Sequence, residues 1–304
     1  MEAQKPNVAQ RPAAAKKDLK PGNNVGGVKN AFLIIIACFV IAVLLFLFLF
    51  GNPTHHFDAD TLAGMNLEGM GNMSMAFVDD EVAKGSHPQD LIGTIYKGGF
   101  IVPILQTLFL TVIVLSVERY IALSGAKGKG DITKFVANVE KALVSNDIAG
   151  AKELCRKQRG SVAAVVYAAL NRYEEMDKNT ELSKEQKVAT LQKEVEEAMA
   201  VEMPSLQQNL PIVATLTTLG TLVGLLGTVI GMIKSFQALS ASGAPDSSEL
   251  SAGISEALVN TAFGIATGAF AVISYNYYTN KIDKLTYAID EIGFTIVQTF
   301  AATH

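Results

Sequence analysis

Four long apolar stretches dominate the pattern of hydrophobic and polar positions along this chain. They run from Ala31 to Phe50, from Gly98 to Val117, from Leu210 to Ile233 and from about Ile254 to Thr279. Each approaches or exceeds the roughly 20 apolar residues that a helix needs to cross a bilayer core. A single charged side chain, Glu256, lies near the start of the fourth stretch. The pattern predicts an all-α integral membrane protein with four transmembrane helices.

Composition and the flanking residues agree with membrane insertion. The chain is 49% hydrophobic and 18% charged, whereas soluble domains are roughly 25% charged. Its net charge of −4 gives no indication of nucleic-acid binding. The two cysteines, Cys38 and Cys155, are far apart and form neither a disulfide framework nor a metal site. The first stretch is too long for a cleaved signal peptide and lacks a cleavage pattern after it, so we expect a retained helix.

Basic residues alternate between the segments that join these stretches. The tail before Ala31 has six lysines and arginines, the segment 51–97 two, the segment 119–209 fourteen, the link 235–251 none and the C-terminal tail two. Because cytoplasmic loops carry the excess of basic residues, we expect a multi-pass inner-membrane protein whose termini and long middle loop are cytoplasmic.

The pattern divides the chain into nine segments. We expect a disordered cytoplasmic tail (1–30), an extra N-terminal transmembrane helix (31–50), a periplasmic loop (51–97), a transmembrane helix (98–120), a helical cytoplasmic domain (121–209), a transmembrane helix (210–234), a short periplasmic loop (235–252), a transmembrane helix (253–279) and a cytoplasmic C-terminal tail (280–304).

The two larger loops differ in character. The loop 51–97 holds methionines and histidines, which can bind copper; we interpret it instead as a flexible loop whose methionines cover its own apolar surface, and predict no metal site or cofactor. In the loop 121–209, Asp131 predicts a helix to about Val144, and Asn146-Asp147 a helix to Gln158. Ser183 and Gln186 resemble a capping box that opens a helical stalk through about Met203, with Pro204 and Pro211 marking a kink or the membrane entry.

Small and polar residues line one face of each of the last two apolar helices. On the third stretch, Thr217, Thr221, Gly224, Thr228, Gly231 and Ser235 share a stripe, and Gly220, Gly224, Gly227 and Gly231 form small-xxx-small pairs that permit close helix approach. On the fourth, the same side carries Glu256, Asn260, Thr261, Gly264, Thr267, Gly268 and Ala271. The simpler interpretation of these glycines is that they allow the helices to pack.

Glu256 is harder to assign to packing alone. A carboxylate inside a membrane helix costs a few kilocalories per mole or more and is usually turned toward a cavity or a partner. It lies within about the first turn of its helix, so it can also reach the outer interface. Together with Thr228, Thr261, Asn260 and Thr221 it fits a narrow wet path for a small cation, or a socket for a polar group of another helix.

At these residues the chain resembles the MotA/TolQ/ExbB proton channel family, and ExbB most closely. The resemblance is carried by the segments Leu210–Thr215, Val223–Val229, Gly253–Leu258 and Thr261–Ile265, by Tyr275-Asn276, and by Gly98-Gly99, Pro103, Ser116 and Glu118-Arg119 in the first core helix. It extends from about Lys97 to Leu285. The helix Ala31–Phe50 lies outside the family core, and Thr221 stands where the ExbB pattern often has proline.

The resemblance implies a ring-forming oligomer, with a pentamer surrounding a dimer of a single-span partner of the ExbD type. That partner supplies a membrane aspartate that carries the proton, and Glu256, Thr228 and Thr261 would line the path that faces it. In ExbB-like systems the motor drives a TonB-like protein and outer-membrane transport. The alternatives are a TolQ-like envelope-integrity motor, a gliding-type motor, or a non-conducting membrane scaffold. No catalytic triad, metal-spaced cluster or phosphate loop indicates an enzyme.

Overall fold

The computed structural model describes residues 31–57, 74–77, 90–241 and 247–303, and these residues are almost entirely helical, with no strand among them. The helices are α1 (Ala31–Leu44, continued by a π-helical turn Leu45–Phe50), α2 (Leu91–Tyr96), α3 (Ile101–Lys127), α4 (Ile132–Val144), α5 (Ile148–Gln158), α6 (Gly160–Lys178), α7 (Lys184–Gln207), α8 (Leu210–Ala241) and α9 (Ser247–Thr303), with short 3₁₀ turns at Pro53–His55 and Met75–Phe77.

Four of the helical stretches are long and apolar enough to cross a membrane. They lie within 31–50, 101–144, 184–237 and 250–303. The prediction of an all-helical protein with four candidate transmembrane helices is therefore confirmed. The methionines at 65, 70 and 73, His87, and the tail 1–30 lie outside the described residues, so the expectations about them remain predictions.

The described residues fall into two compact units. The membrane unit contains the described residues between 31 and 119 and between 209 and 278, and the loop unit contains residues 120–208 and 279–303. Every residue of the predicted ion path, including Glu256, Thr228 and Thr261, belongs to the membrane unit.

Side-chain caps begin three helices of the loop unit, α4, α5 and α7, as their sequence predicts. The Asp131 carboxylate accepts the amide hydrogen of Lys134 at 3.2 Å, and the Asp147 carboxylate accepts that of Gly150 at 2.8 Å. Ser183 and Gln186 form a capping box with reciprocal hydrogen bonds of 3.3 and 3.0 Å. Each bond satisfies an amide that the first helical turn leaves without a partner.

Two features of the loop unit differ from the sequence-based expectation. A further helix, α6, follows Arg159, and the segment 280–304, expected as a tail, continues α9 as far as Thr303. This part of α9 buries Ile282, Leu285, Ile289, Ile292, Ile296 and Phe300. The Phe300 ring packs edge-to-face on Tyr173 with 4.9 Å between centroids, so the C-terminal helix is part of the core of the loop unit.

In the membrane unit, α3 and α9 run parallel and α8 runs antiparallel to α9. Contacts along α3 and α9 keep a nearly constant offset: Gly98 with Asn260, Phe109 with Phe270, and Ser116 with Tyr278. Along α8 and α9 the numbering runs in opposite directions, from Gly220 beside Thr267 to Gly231 beside Ala257. The three helices therefore alternate in direction, as successive membrane crossings do.

Glycines allow α8 and α9 to approach closely. A Cβ added at Gly224 would lie 2.9 Å from the Cα of Gly264, and one added at Gly264 would lie 2.7 Å from the Cα of Gly224. Large apolar side chains on the opposite sides of both helices are exposed, including Leu222, Leu225, Val229, Leu258, Ile265 and Ile273. The small-residue faces thus pack against each other within one chain.

Helix α1 contacts the rest of the membrane unit through few residues. Only Cys38 and Ala42, one helical turn apart, are buried along it. Just beyond α1, Phe46 stacks on Tyr96 with 4.8 Å between ring centroids. Tyr96 ends α2, immediately before the first helix of the core, so this stack joins the extra helix to the core.

Candidate functional site

An ion pair between α8 and α9 forms the centre of the candidate site. The Lys234 ammonium donates to both oxygens of the Glu256 carboxylate, at 2.7 Å to Oε1 and 2.9 Å to Oε2. The Glu256 side chain is 9% exposed and that of Lys234 is 47% exposed. The carboxylate is therefore enclosed by the protein, whereas part of the lysine remains accessible.

The turn before α3 shapes the place that the carboxylate occupies. Gly99 has a φ of +73°, in the left-handed region that favours glycine. A Cβ at this position would lie 2.6 Å from Oε1 of Glu256. Gly99 is thus required twice, by its own backbone conformation and by the close approach of the carboxylate.

Asn260 lies one helical turn after Glu256 and is completely buried. Its Nδ2 donates to the carbonyl oxygen of Gly98 at 3.0 Å. Its Oδ1 has no hydrogen-bond partner among the described residues. Because an unsatisfied buried polar atom costs free energy, this oxygen is available to accept a hydrogen bond or to contact a cation.

The glycines of α8 fit closely against this part of α9. The position of a Cβ at Gly227 overlaps the Asn260 side chain, and a Cβ at Gly231 would lie 2.7 Å from the carbonyl oxygen of Gly253. These two glycines bring the α8 backbone against the residues that flank Glu256. Gly220 lies next to Thr267, and Gly268 lies next to Thr221. These two glycines therefore belong to the same contact between α8 and α9, but lie further from Glu256 along the helices.

The predicted hydroxyl groups differ in their positions. Thr228 and Thr261 are both half-buried; their hydroxyls donate to Leu225 O at 2.5 Å and to Ala257 O at 3.1 Å. Each hydroxyl hydrogen is therefore committed to its own helix, and the oxygen lone pairs remain available as acceptors. Thr221 is exposed and lies beside Gly268. Gly268 follows Glu256 by twelve residues, about 18 Å along a helix, so Thr221 is distant from the ion pair.

Sequence reasoning treated Lys234 only as the residue that closes the third apolar stretch. A signal for its role was available, because a short link between two antiparallel helices brings residues at similar distances from the link close together. Buried polar side chains on α3 were also missed: Gln106, Thr107 and Thr111. Both amide atoms of Gln106 lack a partner among the described residues.

A second buried charge pair lies at the other end of the membrane unit. The fully buried Arg119 donates to the neighbouring Glu118 from Nε at 2.6 Å and from Nη2 at 2.5 Å. Asn209, whose φ is +61°, donates to the same carboxylate at 3.3 Å. These hydrogen bonds connect the end of α3 to the turn that begins α8.

Comparison with known proteins agrees with the motifs. A sequence profile described as the MotA/TolQ/ExbB proton channel family matches residues 158–291, which include α8 and the membrane part of α9. The resemblance to this family is therefore confirmed. The motifs from Gly98 to Arg119 lie outside the matched residues. The family is a transport class and not a class of enzymes.

Individual relatives are similar over a shorter part. The Tol-Pal system protein TolQ of Haemophilus influenzae is 34% identical over 88 residues, 29% of this chain and 39% of that protein. Biopolymer transport protein ExbB of Helicobacter pylori is 37% identical over 81 residues, 27% of this chain and 56% of that protein. The ExbB of Aquifex aeolicus is 34% identical over 77 residues, 25% of this chain and 52% of that protein. The chain thus spans about half or less of these relatives.

Proposed function

We propose that this chain, which resembles the MotA/TolQ/ExbB proton channel family, is the proton-conducting stator subunit of an ion-driven inner-membrane motor. The buried Glu256 carboxylate carries the proposal. A charged group is retained inside a membrane helix mainly where a path or a partner uses it. Here it lies one helical turn before the buried Asn260, whose Oδ1 has no hydrogen-bond partner among the described residues, and it pairs with the partly exposed Lys234. A purely structural scaffold has no need of this arrangement.

In the proposed mechanism, Glu256, Thr228 and Thr261 face a membrane aspartate of a single-span, ExbD-like partner dimer inside a ring of five copies of this chain. Protons pass between the polar face and that aspartate, down their gradient. A neutral aspartate is stable when buried and a charged one when hydrated, so each protonation changes where it lies. The partner dimer then rotates or shifts within the ring. Both termini and the loop unit are cytoplasmic in this arrangement.

The process that the motor drives has two candidates. The first is an ExbB-like role, in which a TonB-like protein transmits force to outer-membrane transporters. The second is a TolQ-like role in envelope integrity, which is kept because similar proteins are named both TolQ and ExbB. Deletion of the gene distinguishes them: starvation for iron or cobalamin indicates the first, and sensitivity to detergent indicates the second.

Copurification and reconstitution test the conducting role directly. The tagged full-length chain should copurify with a single-span protein that carries an aspartate in its membrane segment, identified by mass spectrometry. The reconstituted complex should acidify or alkalinise proteoliposomes in the direction of an imposed proton gradient. Absence of both the partner and the proton flux would leave the scaffold as the better interpretation.

A further inference from the structure

The geometry of the Glu256–Lys234 pair bears on which cation can use the site. The Lys234 ammonium contacts both carboxylate oxygens, at 2.7 and 2.9 Å. It therefore lies across the pair of oxygens where a coordinating metal cation would otherwise bind. A hard cation such as sodium binds through several oxygen ligands at once, and here the strongest of them are already occupied by a fixed positive charge.

The protein leaves little room for a cation to reach the carboxylate from another side. Gly99 approaches Oε1 so closely that a methyl group would not fit between them. The Glu256 side chain is 9% exposed, and the Lys234 side chain, which covers it, is 47% exposed. An ion that arrives from water thus meets the ammonium first. Because the lysine stem is long and flexible, the ammonium can move away without unfolding either helix.

We propose that Lys234 is the specificity-determining residue of this site, a built-in cation that excludes sodium and admits only protons. This inference rests on the proposed function, in which Glu256 lines the ion path. A proton can add to one carboxylate oxygen and form a neutral carboxylic acid, while Lys234 keeps its own proton and turns toward water or toward the partner's aspartate. A sodium ion at the same place would lie against the ammonium, and the two like charges would repel each other.

Asn260 strengthens this interpretation. Its Oδ1 is completely buried one turn from Glu256 and has no partner among the described residues. Like the two carboxylate oxygens, it is an oxygen ligand of the kind that a hard cation prefers. Such oxygens alone would not favour protons over sodium, whereas the charge of Lys234 would. Removing that charge while keeping the length of the side chain should convert the site into one that accepts sodium.

A binding experiment on the full-length chain tests this without any transport. Thermal unfolding in detergent is followed in sodium chloride and in choline chloride at equal ionic strength, because a ligand that binds only the folded state raises the melting temperature. We expect sodium to raise the Tm of Lys234→Met and to leave the wild type and Lys234→Arg unchanged. Lys193→Met is the matched control, since Lys193 forms an exposed pair with Glu197 in the loop unit. The double variant Lys234→Met, Glu256→Gln should lose the sodium effect.

Flux through the reconstituted complex tests the same point in operation. Wild-type proton flux should be the same in sodium and choline, with no uptake of radioactive sodium. In Lys234→Met, sodium should depress proton flux by about tenfold, which corresponds to a gain of about 1.4 kcal/mol in its competition for the carboxylate. Sodium uptake by the wild type, or a Lys234→Met protein that is indifferent to sodium in either experiment, would overturn the inference.

The two proposals fail in different ways. If the wild-type complex conducts no ion, the proposed function is wrong, whereas the melting experiment still reports whether Lys234 keeps sodium from the carboxylate. If the wild type conducts protons and Lys234→Met conducts them equally well in sodium, only the inference about Lys234 is wrong. If Lys234→Met forms an intact complex without any flux or sodium response, Lys234 is needed for transport itself and does not act as a filter.

Discussion

At the scale of single residues, the proposed function depends on a carboxylate that the membrane would normally exclude. Glu256 is retained although burial of a charged group is costly, and its ion pair with Lys234 offsets part of that cost. Removal of one partner from such a pair leaves the other charge without compensation. If Glu256 is replaced, the remaining charge is that of Lys234, whose side chain is partly exposed and can reach water.

This difference in exposure makes a replacement of Glu256 interpretable. We expect Glu256→Ala to abolish energy-dependent transport while the protein level and partner binding remain normal. Glu256→Gln keeps the shape and removes the charge, so loss of transport in this variant shows that the charge itself is required. Glu197→Ala, which removes an exposed carboxylate from the loop unit, is the control. Normal proton flux from Glu256→Ala in proteoliposomes would contradict the role of this residue.

The two threonines complete the same prediction. Thr228→Val and Thr261→Val keep the side-chain volume and remove a hydroxyl whose hydrogen is bound to its own helix. Loss of the acceptor oxygen should cost about 1 kcal/mol each, the scale of a single hydrogen bond in a membrane. We therefore expect partial loss of flux in each single variant and severe loss in the double variant. Unchanged flux in the double variant would reduce both residues to a packing role.

At the scale of secondary-structure elements, the closely packed pair of α8 and α9 positions Lys234 beside Glu256. The helices approach so closely that the Cα atoms of Gly224 and Gly264 lie where side chains would otherwise be. The sequence indicated a close-packed face but not whether its contact was with another copy of the chain. In the structure, that contact lies within one chain, and this changes the reason for the next prediction.

Gly224→Ala should destabilise the helix pair before it affects any assembly. The added methyl group would lie 2.9 Å from the Cα of Gly264, and overpacking of this kind typically costs about 1–3 kcal/mol. The control is Gly125→Ala on α3, where an added Cβ meets nothing within 4 Å. We expect a lower Tm and fewer intact oligomers in native mass spectrometry for Gly224→Ala only. Equal behaviour of the two variants would mean that α8 and α9 separate at little cost.

The elements also show what the sequence can and cannot predict. Apolar length identified the four membrane helices, and the Asp131, Asp147 and Ser183 caps marked three helix starts, because both signals are local. The helical part of α9 beyond Thr279 was interpreted as a tail, although Ile282, Leu285 and Ile289 follow a helical period. Its burial depends on distant residues such as Tyr173, which no local pattern reveals.

The candidate site shows the same limit. Glu256 was identified because a charge within an apolar run is visible in the sequence. Its pairing with Lys234 depends on the register of two antiparallel helices, and its fit against Gly99 depends on a positive φ in a turn. Both are properties of the folded chain, so the sequence predicted the residue that bears the charge and missed the two residues that define its surroundings.

At the scale of the whole molecule, the distribution of charge should fix the orientation in the membrane. Fourteen lysines and arginines lie between residues 119 and 209, whereas the segment 51–97 has two, with seven acidic residues. Such a bias keeps the basic segments on the cytoplasmic side. The alternating directions of α3, α8 and α9 agree with three crossings, and α1 adds a fourth. Both termini are then expected on the same side as the loop unit.

Cysteine labelling tests this orientation, because the two native thiols should react little with the label. Cys38 is 3% exposed and Cys155 is fully buried. Burial raises the pKa of the Cys155 thiol to about 12, so that little reactive thiolate forms near neutral pH.

One new cysteine is placed at Ser86, which lies outside the described residues. The other is placed at the exposed Thr180 between α6 and α7, where it leaves the Ser183 cap intact. A membrane-impermeant maleimide added to cells with a permeabilised outer membrane should label Ser86→Cys alone, and Thr180→Cys should react only after lysis. Labelling of both positions from one side would overturn the four-helix topology, because an odd number of crossings must separate them.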